Sequence, residues 1–482
     1  MTSDPFYLPF QKSPRTLPEF PVEIYEEILL YLRPLRIGSE SRSIFRRRIR
    51  DLCNLSLVCR FLWTVTRPII FENLFFIPTP DQNLDSGRFL AVLPMSVKAR
   101  EQSVPQTVMT LVRRCVFQRR EQDQLAPFTS ANLKHFANSY GKTLTKMTHL
   151  TTIVLRQVLL TSELFENMAD CPRLTALTIE YCESQCEELV IHQFTSRFQA
   201  KLEFFRLLVV LPYRSPRLYT SLRRDQINAF KPLVHTLSSL STDSGDIVDF
   251  VINSKITPPL ESVELLTVLI SPRVVEFLQN LPSLTSLTMD GLYQLSPFSL
   301  QDFPTLRRLI FPHRFSHCLI GSHSLSHLSF VGNTSMTYLR SFAESPWSSI
   351  EHYNPISNLS IPLSFAFHLA SSEEQAKLTS VTKLTISSSN SSTDIFKNRQ
   401  DIKTIKKFLS KVAPPSLTEL CFVNITFDGR PKERDLIRFF TTRKLFPELE
   451  RLSFLDTAQG DEFQWRKDTD SDEWKWVIPG EY

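Results

Sequence analysis

The sequence predicts an α/β protein in which a small helical N-terminal block precedes a long solenoid. The solenoid has a parallel β-sheet on its concave face and helices on its convex face. Two observations predict it: a short apolar phrase recurs from about residue 146, and segments with helical periodicity separate its copies. A third observation, an unusually apolar stretch at 20–35, sets the N-terminal block apart.

The recurring phrase has the form L-x-x-L-x-(L/I/F/M). It is found as HLTTIVL at 149, RLTALTI at 173, KLEFFRL at 201, SLTSLTM at 283, TLRRLIF at 305, SLSHLSF at 324, SVTKLTI at 380, SLTELCF at 416 and ELERLSF at 448, with PLESVEL at 259 as a variant and TLSSLS at 236 as a weaker copy. Repeats of roughly 20–29 residues with this phrase are typical of leucine-rich repeats. Because alternating apolar residues form a strand with one buried face, residues 146–456 are predicted to form a leucine-rich-repeat solenoid.

Helices are predicted between the strands. In SPRVVEFLQNLPSL, Ser271 is placed as an N-cap and Pro272 as the first helical residue, and TSELFENMADCPRL repeats this design around Ser162. Right-handed crossovers through such helices stack the strands into a parallel sheet. A different α/β fold with coincident Leu spacing remains the alternative, because the spacing is irregular at 202–237 and after 325.

The N-terminal block carries more apolar surface than it can bury. In FPVEIYEEILLYLRPL, residues 20–35, apolar side chains spread over roughly half of the helix circumference, more than one neighbouring helix covers. Residues 51–76 add further helical spacing in DLCNLSLVCRFLW. An exposed apolar surface on a small helical module usually marks a protein-docking face.

The pattern FPVEIYEEILLYLRP…DLCNLSLVCRFLW…RPIIFENL, within residues 17–76, resembles an F-box, in the form found in fungal F-box proteins that carry leucine-rich repeats. The resemblance implies docking onto a Skp-family adaptor that couples to a cullin-RING ligase. The chain would then be the substrate-recognition subunit of an SCF-type ubiquitin ligase in ubiquitin-dependent protein degradation. The resemblance places the adaptor-binding positions at Phe20, Pro21, Ile24, Ile28, Leu29, Leu32, Pro34, Leu52, Leu55, Ser56, Val58, Cys59 and Leu62.

The sequence departs from the F-box pattern at three places. Most members have Leu-Pro where Phe20-Pro21 stands, and an aromatic residue where Leu62 stands. A Ser/Arg-rich insertion at 36–50, which contains RRRIR, also exceeds the usual loop. The alternative interpretation is a private helical cap for the first repeat of the solenoid.

The solenoid is expected to bind an unidentified protein substrate through the outward x positions of its strands. The candidate substrate-binding residues are Arg307, Arg308, His327, Ser329, Glu419, Glu450 and Arg451. Holding a substrate near a ubiquitin carrier raises its effective concentration, so the expected mechanism is positional. The rival function is a non-catalytic binding scaffold without a role in ubiquitin transfer.

Three segments lie outside the F-box-like block and the repeats. Residues 1–16 are expected to be disordered, and 77–145 to form a helical connector and N-terminal cap of the solenoid. The tail at 457–482 contains Trp465, Trp474 and Trp476, and is expected to cover the last repeat, because exposed solenoid ends need capping. A mobile acidic arm is the alternative for this tail.

Catalysis and cofactor binding are not expected. The sequence has no nucleophile elbow, Walker A loop, H-E-x-x-H or Rossmann fingerprint. Two sets of residues contain possible zinc ligands: His313, His317, Cys318, His323 and His327 in one stretch, and Cys182, Cys186 and His192 in another. A polar loop with a strand fits the first set better, since Gly321 breaks a helix, and buried thiols fit the second, which lacks a fourth ligand.

The net charge and the hydropathy of the chain argue against nucleic acid and membrane as partners. A net charge of +5 over 482 residues gives no nucleic-acid footprint, and the longest apolar run, LLVVL at 207–211, is too short for a membrane span. The N-terminus lacks the apolar segment of a signal peptide, so reduced thiols and a cytoplasmic or nuclear location are expected.

Overall fold

The computed structural model describes most of the chain between residues 42 and 477. The described residues are Tyr25, Leu29, 42–77, 90–92, 106–119, 130–198, 201–209, 222–254, 257–266, 268, 270–290, 298–299, 303–312, 319–320, 325–331, 356–363, 365–366, 380–388, 400–412, 414–425, 446–456, 461–467 and 474–477.

One 17-stranded sheet runs through these residues. Its parallel strands are β1 (Asn73–Ile77), β3 (Arg114–Gln118), β4 (Thr152–Arg156), β6 (Ala176–Glu180), β8 (Phe204–Leu208), β9 (Ser239–Thr242), β10 (Ser262–Leu266), β11 (Ser286–Asp290), β13 (Arg308–Pro312), β15 (His327–Val331), β16 (Asn358–Pro362), β17 (Lys383–Ser387), β18 (Glu419–Val423) and β19 (Arg451–Asp456). Each pairs with the next in this order. The sheet therefore grows by one strand per repeat.

Antiparallel strands complete both ends of the sheet. Strand β2 (Leu90–Val92) pairs with β1, and β20 (Asp461–Lys467) pairs with β19 and with β21 (Trp474–Val477). Two short parallel pairs lie apart from the main sheet: β5 (Leu159–Leu160) with β7 (Glu183–Ser184), and β12 (Phe298–Ser299) with β14 (Leu319–Ile320). Residues 461–467 and 474–477 of the predicted tail thus extend the last repeat.

Helices lie between many of the strands in the part of the chain that the structure describes. They are α1 (Arg42–Ser56), α2 (Arg60–Ile70), α3 (Gln106–Met109), α4 (Ser130–Leu144), α5 (Ser162–Ala169), α6 (Glu188–Phe198), α7 (Arg224–Asn228), α8 (Gly245–Asn253), α9 (Pro272–Gln279) and α10 (Gln400–Val412), with a 3₁₀ turn at Lys231–Thr236. Tyr25 and Leu29 are also helical. The predicted fold class, parallel strands with helices between them, is confirmed.

The first apolar position of the repeat phrase is buried in every repeat described. The residues are Leu150, Leu174, Leu202, Leu237, Leu260, Leu284, Leu306, Leu325, Val381, Leu417 and Leu449. The backbone beside it also repeats: the Thr151 carbonyl accepts from the N–H groups of Thr175 and Ala176 at 2.9 and 3.0 Å, and the Thr418 carbonyl accepts from those of Glu450 and Arg451 at the same distances. This hydrogen bonding fixes the register from one repeat to the next.

Three strands lie where the sequence analysis did not place a repeat. Their phrases use other apolar residues, namely Phe71-x-x-Leu74-x-Phe76, Val112-x-x-Cys115-x-Phe117 and Ile356-x-x-Leu359-x-Ile361, and all nine side chains are buried. Residues 77–145 are therefore wrongly described as a helical connector, because β3 within them belongs to the main sheet. Bulky Phe, Val and Ile fill the same pockets as Leu, so the Leu-based pattern overlooked them.

The predicted helix starts are close to those observed. Helix α9 begins at Pro272 with Ser271 as its N-cap residue, as predicted. Helix α5 is capped one residue earlier than predicted, because the Thr161 hydroxyl accepts from the Leu164 N–H at 3.2 Å and donates to Asn138 Oδ1 at 2.6 Å. Ser162 is the first helical residue instead.

Phenylalanine fills the layer between helices and strands. Phe165 on α5 and Phe205 on β8 both pack against Phe230, with ring centroids 6.1 and 5.6 Å apart. All three rings are fully buried. Buried aromatic side chains of this size contribute much of the stability of a core.

Candidate protein-binding surfaces

An exposed apolar patch lies at the turn between α1 and α2. Leu57 and Val58 are each 61% exposed, and Phe61, on the first turn of α2, is 38% exposed. The Tyr25 ring packs edge-on against Phe61, with centroids 4.9 Å apart. Leu57, Val58 and Phe61 are called the apolar patch below.

Local hydrogen bonds hold this turn. The Ser56 hydroxyl donates to the Cys53 carbonyl at 2.6 Å, and the Val58 N–H donates to the Leu55 carbonyl at 3.1 Å. The Cys59 thiol accepts from the Leu62 N–H at 3.4 Å and so caps α2. Because both helix ends are fixed, Leu57 and Val58 are held outward.

The predicted adaptor-binding residues divide into three groups. Leu29, Leu52, Ser56 and Leu62 are buried inside the chain. Val58 is exposed, while Leu55 and Cys59 are partly exposed. The others lie outside the described residues: Phe20, Pro21, Ile24, Ile28, Leu32 and Pro34. Leu57 and Phe61 were not selected from the sequence, although they flank Val58 and Leu62 directly.

The helical block shares one core with the solenoid. Leu29, Leu52 and Ile70 belong to the same cluster of buried residues as the repeat strands. Helix α2 leads directly into β1, where the Glu72 carbonyl accepts from the N–H groups of Arg113 and Arg114 at 2.9 Å each. The block therefore covers the N-terminal end of the solenoid and keeps an apolar patch exposed.

Charged residues on the N-terminal half of the concave face compensate one another. Arg156 Nε lies 2.6 Å from Glu180 Oε2, and Arg206 Nε lies 2.9 Å from Glu180 Oε1. Arg206 Nη1 also donates to Glu264 Oε2 at 2.7 Å, and the Ser241 hydroxyl donates to the same oxygen at 2.5 Å. These residues join strands β4, β6, β8, β9 and β10 into one ionic network, in which Glu180 is buried.

Charged residues on the C-terminal half form a row across the sheet. The strand register places Arg308, His327, Asn358, Lys383, Glu419 and Arg451 side by side. Arg466 and Lys475 continue this row on β20 and β21. The row brings together four of the predicted substrate-binding residues: Arg308, His327, Glu419 and Arg451.

The other predicted residues lie beside this row. Arg307 and Glu450 are exposed and immediately precede β13 and β19, and Ser329 is a partly exposed residue of β15. Lys383, which the sequence analysis did not select, occupies the same position in SVTKLTI that His327 occupies in SLSHLSF. Comparing equivalent positions of the phrase would have found it.

Glu419 is the one carboxylate among the six residues of the row. It pairs with Lys383 Nζ at 2.7 Å and with the Arg451 guanidinium. The His327 ring contacts the Asn358 amide nitrogen through Nε2 at 2.6 Å and the Ser326 hydroxyl through Nδ1 at 2.8 Å. Burial, Arg308 and Lys383 lower the pKa of His327, so its ring is neutral at pH 7.

No metal site is seen in the parts of the chain that the structure describes. Cys182 and Cys186 are buried, as predicted, and burial raises the pKa of their thiols to about 12 and about 11. His327 lies on β15, whereas His313, His317, Cys318 and His323 fall outside the described residues. Among the described helices, none has the length and apolar character needed to cross a membrane.

Comparisons with known protein families and with curated proteins find no match. Among solved structures, the chain is similar to the yeast Rad7 and Elc1 complex, with 13% identity over 72% of this chain and 77% of that chain, at a TM-score of 0.29. It is also similar to an internalin from Listeria monocytogenes (12% identity, 63% and 67% covered, TM-score 0.20). A third is a leucine-rich-repeat protein of Leptospira interrogans (11% identity, 73% and 92% covered, TM-score 0.23).

The class of this protein follows from its own strand register. Parallel strands, repeated phrases and a continuous buried ladder define a leucine-rich-repeat solenoid. Such solenoids present an extended concave surface, which suits them to binding other proteins.

Proposed function

We propose that this protein is the substrate-recognition subunit of an SCF-type cullin-RING ubiquitin ligase. The N-terminal helices would dock onto a Skp-family adaptor as an F-box does, and the repeats would hold a protein substrate. The chain itself would not be an enzyme, and it would act in the cytoplasm or nucleus, where such ligases operate.

The apolar patch is the observation that supports adaptor docking most directly. Leu57, Val58 and Phe61 lie in DLCNLSLVCRFLW, the segment that resembles an F-box. Most large apolar residues that the structure describes are buried, whereas these three expose from 38% to 61% of their surface. A cluster of exposed apolar side chains on a rigid turn favours contact with a partner helix.

The mechanism would be positional. The N-terminal helices and the repeat strands share one continuous core. The adaptor-binding surface and the concave face therefore keep a fixed position relative to each other. A substrate held on the sheet would stay within reach of the ubiquitin carrier and react at a raised effective concentration. No residue of this chain needs to touch the reacting atoms.

The shared core also favours the second candidate function, a binding scaffold with no ubiquitin-ligase role. Helices α1 and α2 cover the first strands of the sheet, which every solenoid end requires. In that case the helical block would be a cap only, and the patch would not bind a Skp-family adaptor.

The two candidates separate in a capture experiment with the full chain. Purified protein is incubated with a purified Skp-family adaptor, and the complex is measured by size-exclusion chromatography. We expect a stable complex with the wild type, and its loss in Val58→Asp and Phe61→Asp, because a charge in an apolar interface is poorly solvated.

Leu189→Asp is the matched control. Leu189 is 62% exposed on α6, so this substitution adds the same charge at an equally exposed apolar position outside the patch. It should leave adaptor capture unchanged. Absence of a complex with the wild type, or equal capture by Val58→Asp, would favour the scaffold.

A further inference from the structure

Three rows of side chains define the concave face of strands β13 and β15 to β19, called the C-terminal face below. The first row is Arg308, His327, Asn358, Lys383, Glu419 and Arg451. The second is Ile310, Ser329, Ser360, Thr385, Cys421 and Ser453, and the third is Pro312, Val331, Pro362, Ser387, Val423 and Leu455. Alternate strand residues share one side of a sheet, so the rows run in parallel.

The first row carries an excess of positive charge. Three cations, Arg308, Lys383 and Arg451, stand beside the single carboxylate of Glu419. Glu419 bridges Lys383 and Arg451, so one negative charge faces two positive charges. Arg308 and the neutral His327 extend the row without adding an acid. The row therefore attracts negative charge along its length.

The second and third rows shape the floor beside the cations. The second row is mostly small hydroxyl-bearing side chains, all partly exposed, which leave room for a ligand and offer hydrogen bonds. The third row includes Val331, Val423 and Leu455, which are partly exposed apolar residues. The face thus changes from cationic to apolar across its width.

We propose that the C-terminal face binds an acidic segment of a partner protein, with acidic side chains on the first row and apolar side chains on the third. This inference rests on the proposed function, since the segment would belong to the bound substrate. Neighbouring strands lie about 4.8 Å apart, so the row from Arg308 to Arg451 spans about 24 Å. An extended peptide of about seven residues covers that length at about 3.3 Å per residue.

A nucleic acid fits this face less well than an acidic peptide. The three rows hold no Phe, Tyr or Trp on which bases would stack, and single-stranded binders use such platforms. The apolar third row favours a side chain of a protein.

The test measures binding of a fluorescein-labelled decapeptide of glutamate to the full chain by fluorescence anisotropy. A glutamine decapeptide and a ten-nucleotide oligothymidine are the comparison probes. We expect the glutamate peptide to bind more tightly than either, and its affinity to fall as salt is raised, because the contacts are ionic. Tighter binding of oligothymidine, or equal binding of the glutamine peptide, would overturn the proposal.

Three variants locate the binding site. Arg308→Glu should weaken glutamate-peptide binding about tenfold, because it removes one attraction and adds one repulsion at an exposed site. Glu419→Gln should tighten binding, because Lys383 and Arg451 then lose their internal carboxylate. Arg273→Glu, an equal charge change on the exposed surface of α9, should have little effect. Equal weakening by Arg273→Glu and Arg308→Glu would contradict a defined site.

The two proposals fail independently in these experiments. Wild-type protein that binds the glutamate peptide but captures no adaptor contradicts the ubiquitin-ligase role alone. A second outcome would contradict the acidic-segment proposal alone. In it, the adaptor is captured through Val58 and Phe61, but neither Arg308→Glu nor Glu419→Gln changes the affinity for the glutamate peptide. Circular dichroism melting curves confirm that each variant is folded.

Discussion

The two halves of the concave face share a backbone but differ in how they use charge. In the N-terminal half, Arg156, Glu180, Arg206 and Glu264 pair with one another across strands β4, β6, β8 and β10. In the C-terminal half, cations outnumber the one acid of the row, and Lys383 and Arg451 are each about half exposed. Outward-facing strand residues therefore build structure in one half and an open charged surface in the other.

The second row of the face differs in the same way. Val116, Val154 and Thr178 are buried in the N-terminal half, whereas Ser329, Thr385 and Cys421 are partly exposed in the C-terminal half. Burial of the N-terminal positions leaves little surface for a ligand there. The comparison teaches that a repeat fixes where side chains stand, while their chemistry decides whether a position stabilises the protein or stays available for binding.

The largest loss of stability is expected for substitutions in the core, and it should be similar in the N-terminal and C-terminal halves of the solenoid. Leu177 on β6 and Leu384 on β17 occupy the same position of the ladder, and neither is exposed. Leu177→Ala and Leu384→Ala should each lower the free energy of unfolding by about 2–5 kcal/mol, because each leaves a cavity. Urea unfolding followed by circular dichroism measures this loss.

Leu189→Ala is the control for the core substitutions. Its side chain is mostly exposed, so the free energy of unfolding should change by less than about 0.5 kcal/mol. A much smaller loss for Leu384→Ala than for Leu177→Ala would mean that the C-terminal half unfolds separately from the N-terminal half.

A smaller loss of stability should distinguish Glu180 from Glu419. Glu180→Gln removes a buried carboxylate that pairs with Arg156 and Arg206, leaves Arg206 with Glu264 alone, and should cost about 2 kcal/mol. Glu419→Gln should cost less than about 1 kcal/mol, because its partners are about half exposed and solvated. The same urea experiment measures both, and equal losses would remove the distinction between the halves.

The last comparison concerns the thiols, which should differ clearly in their reactivity. Burial raises the pKa of Cys171 and Cys182 to about 12, while Cys421 is partly exposed in the second row. Iodoacetamide at pH 8 should therefore modify Cys421 well before Cys171 or Cys182, as measured by peptide mass spectrometry. The glutamate peptide should slow modification of Cys421 by covering the C-terminal face.

The raised thiol pKa values also give a pH dependence with a definite sign. An unfolded thiol loses its proton near pH 9, whereas Cys182 in the folded chain keeps it until about pH 12. The folded state thus binds more protons between these values, so stability should fall as pH rises through this range. Cys182→Ala should reduce this loss of stability at high pH. If the dependence of stability on pH is unchanged in the variant, the Cys182 thiol is not its cause.

Most of the solenoid could be predicted from the sequence. The phrase L-x-x-L-x-(L/I/F/M), with another residue at one of these positions in some copies, marked eleven strands, each of which is present. The strands at 73–77, 114–118 and 358–362 escaped because Phe71, Val112 and Ile356 stand where Leu was sought. Burial selects for size and apolar character rather than for Leu itself, so a strict pattern misses some repeats.

The candidate surfaces were predicted less completely. The sequence marked the N-terminal block as too apolar for its size, yet Leu29, Leu52 and Leu62 proved to be buried and Leu57 and Phe61 exposed. Helical periodicity ran on through residues 52–65, whereas the chain turns at Leu57 and Val58 and starts a new helix at Arg60. A turn changes which side chains face outward, and periodicity does not report it.

By itself the sequence determined the repeat, the class of fold and the alternation of strands with helices, because these follow from local spacing of apolar residues. Only the tertiary structure decided which charges neutralise one another. Arg206 and Glu264 are separated by 58 residues in the sequence, yet Arg206 Nη1 lies 2.7 Å from Glu264 Oε2, since strand stacking brings β8 and β10 close together on either side of β9. The same stacking places Arg308, Lys383 and Arg451 in one row, a proximity that no local pattern contains.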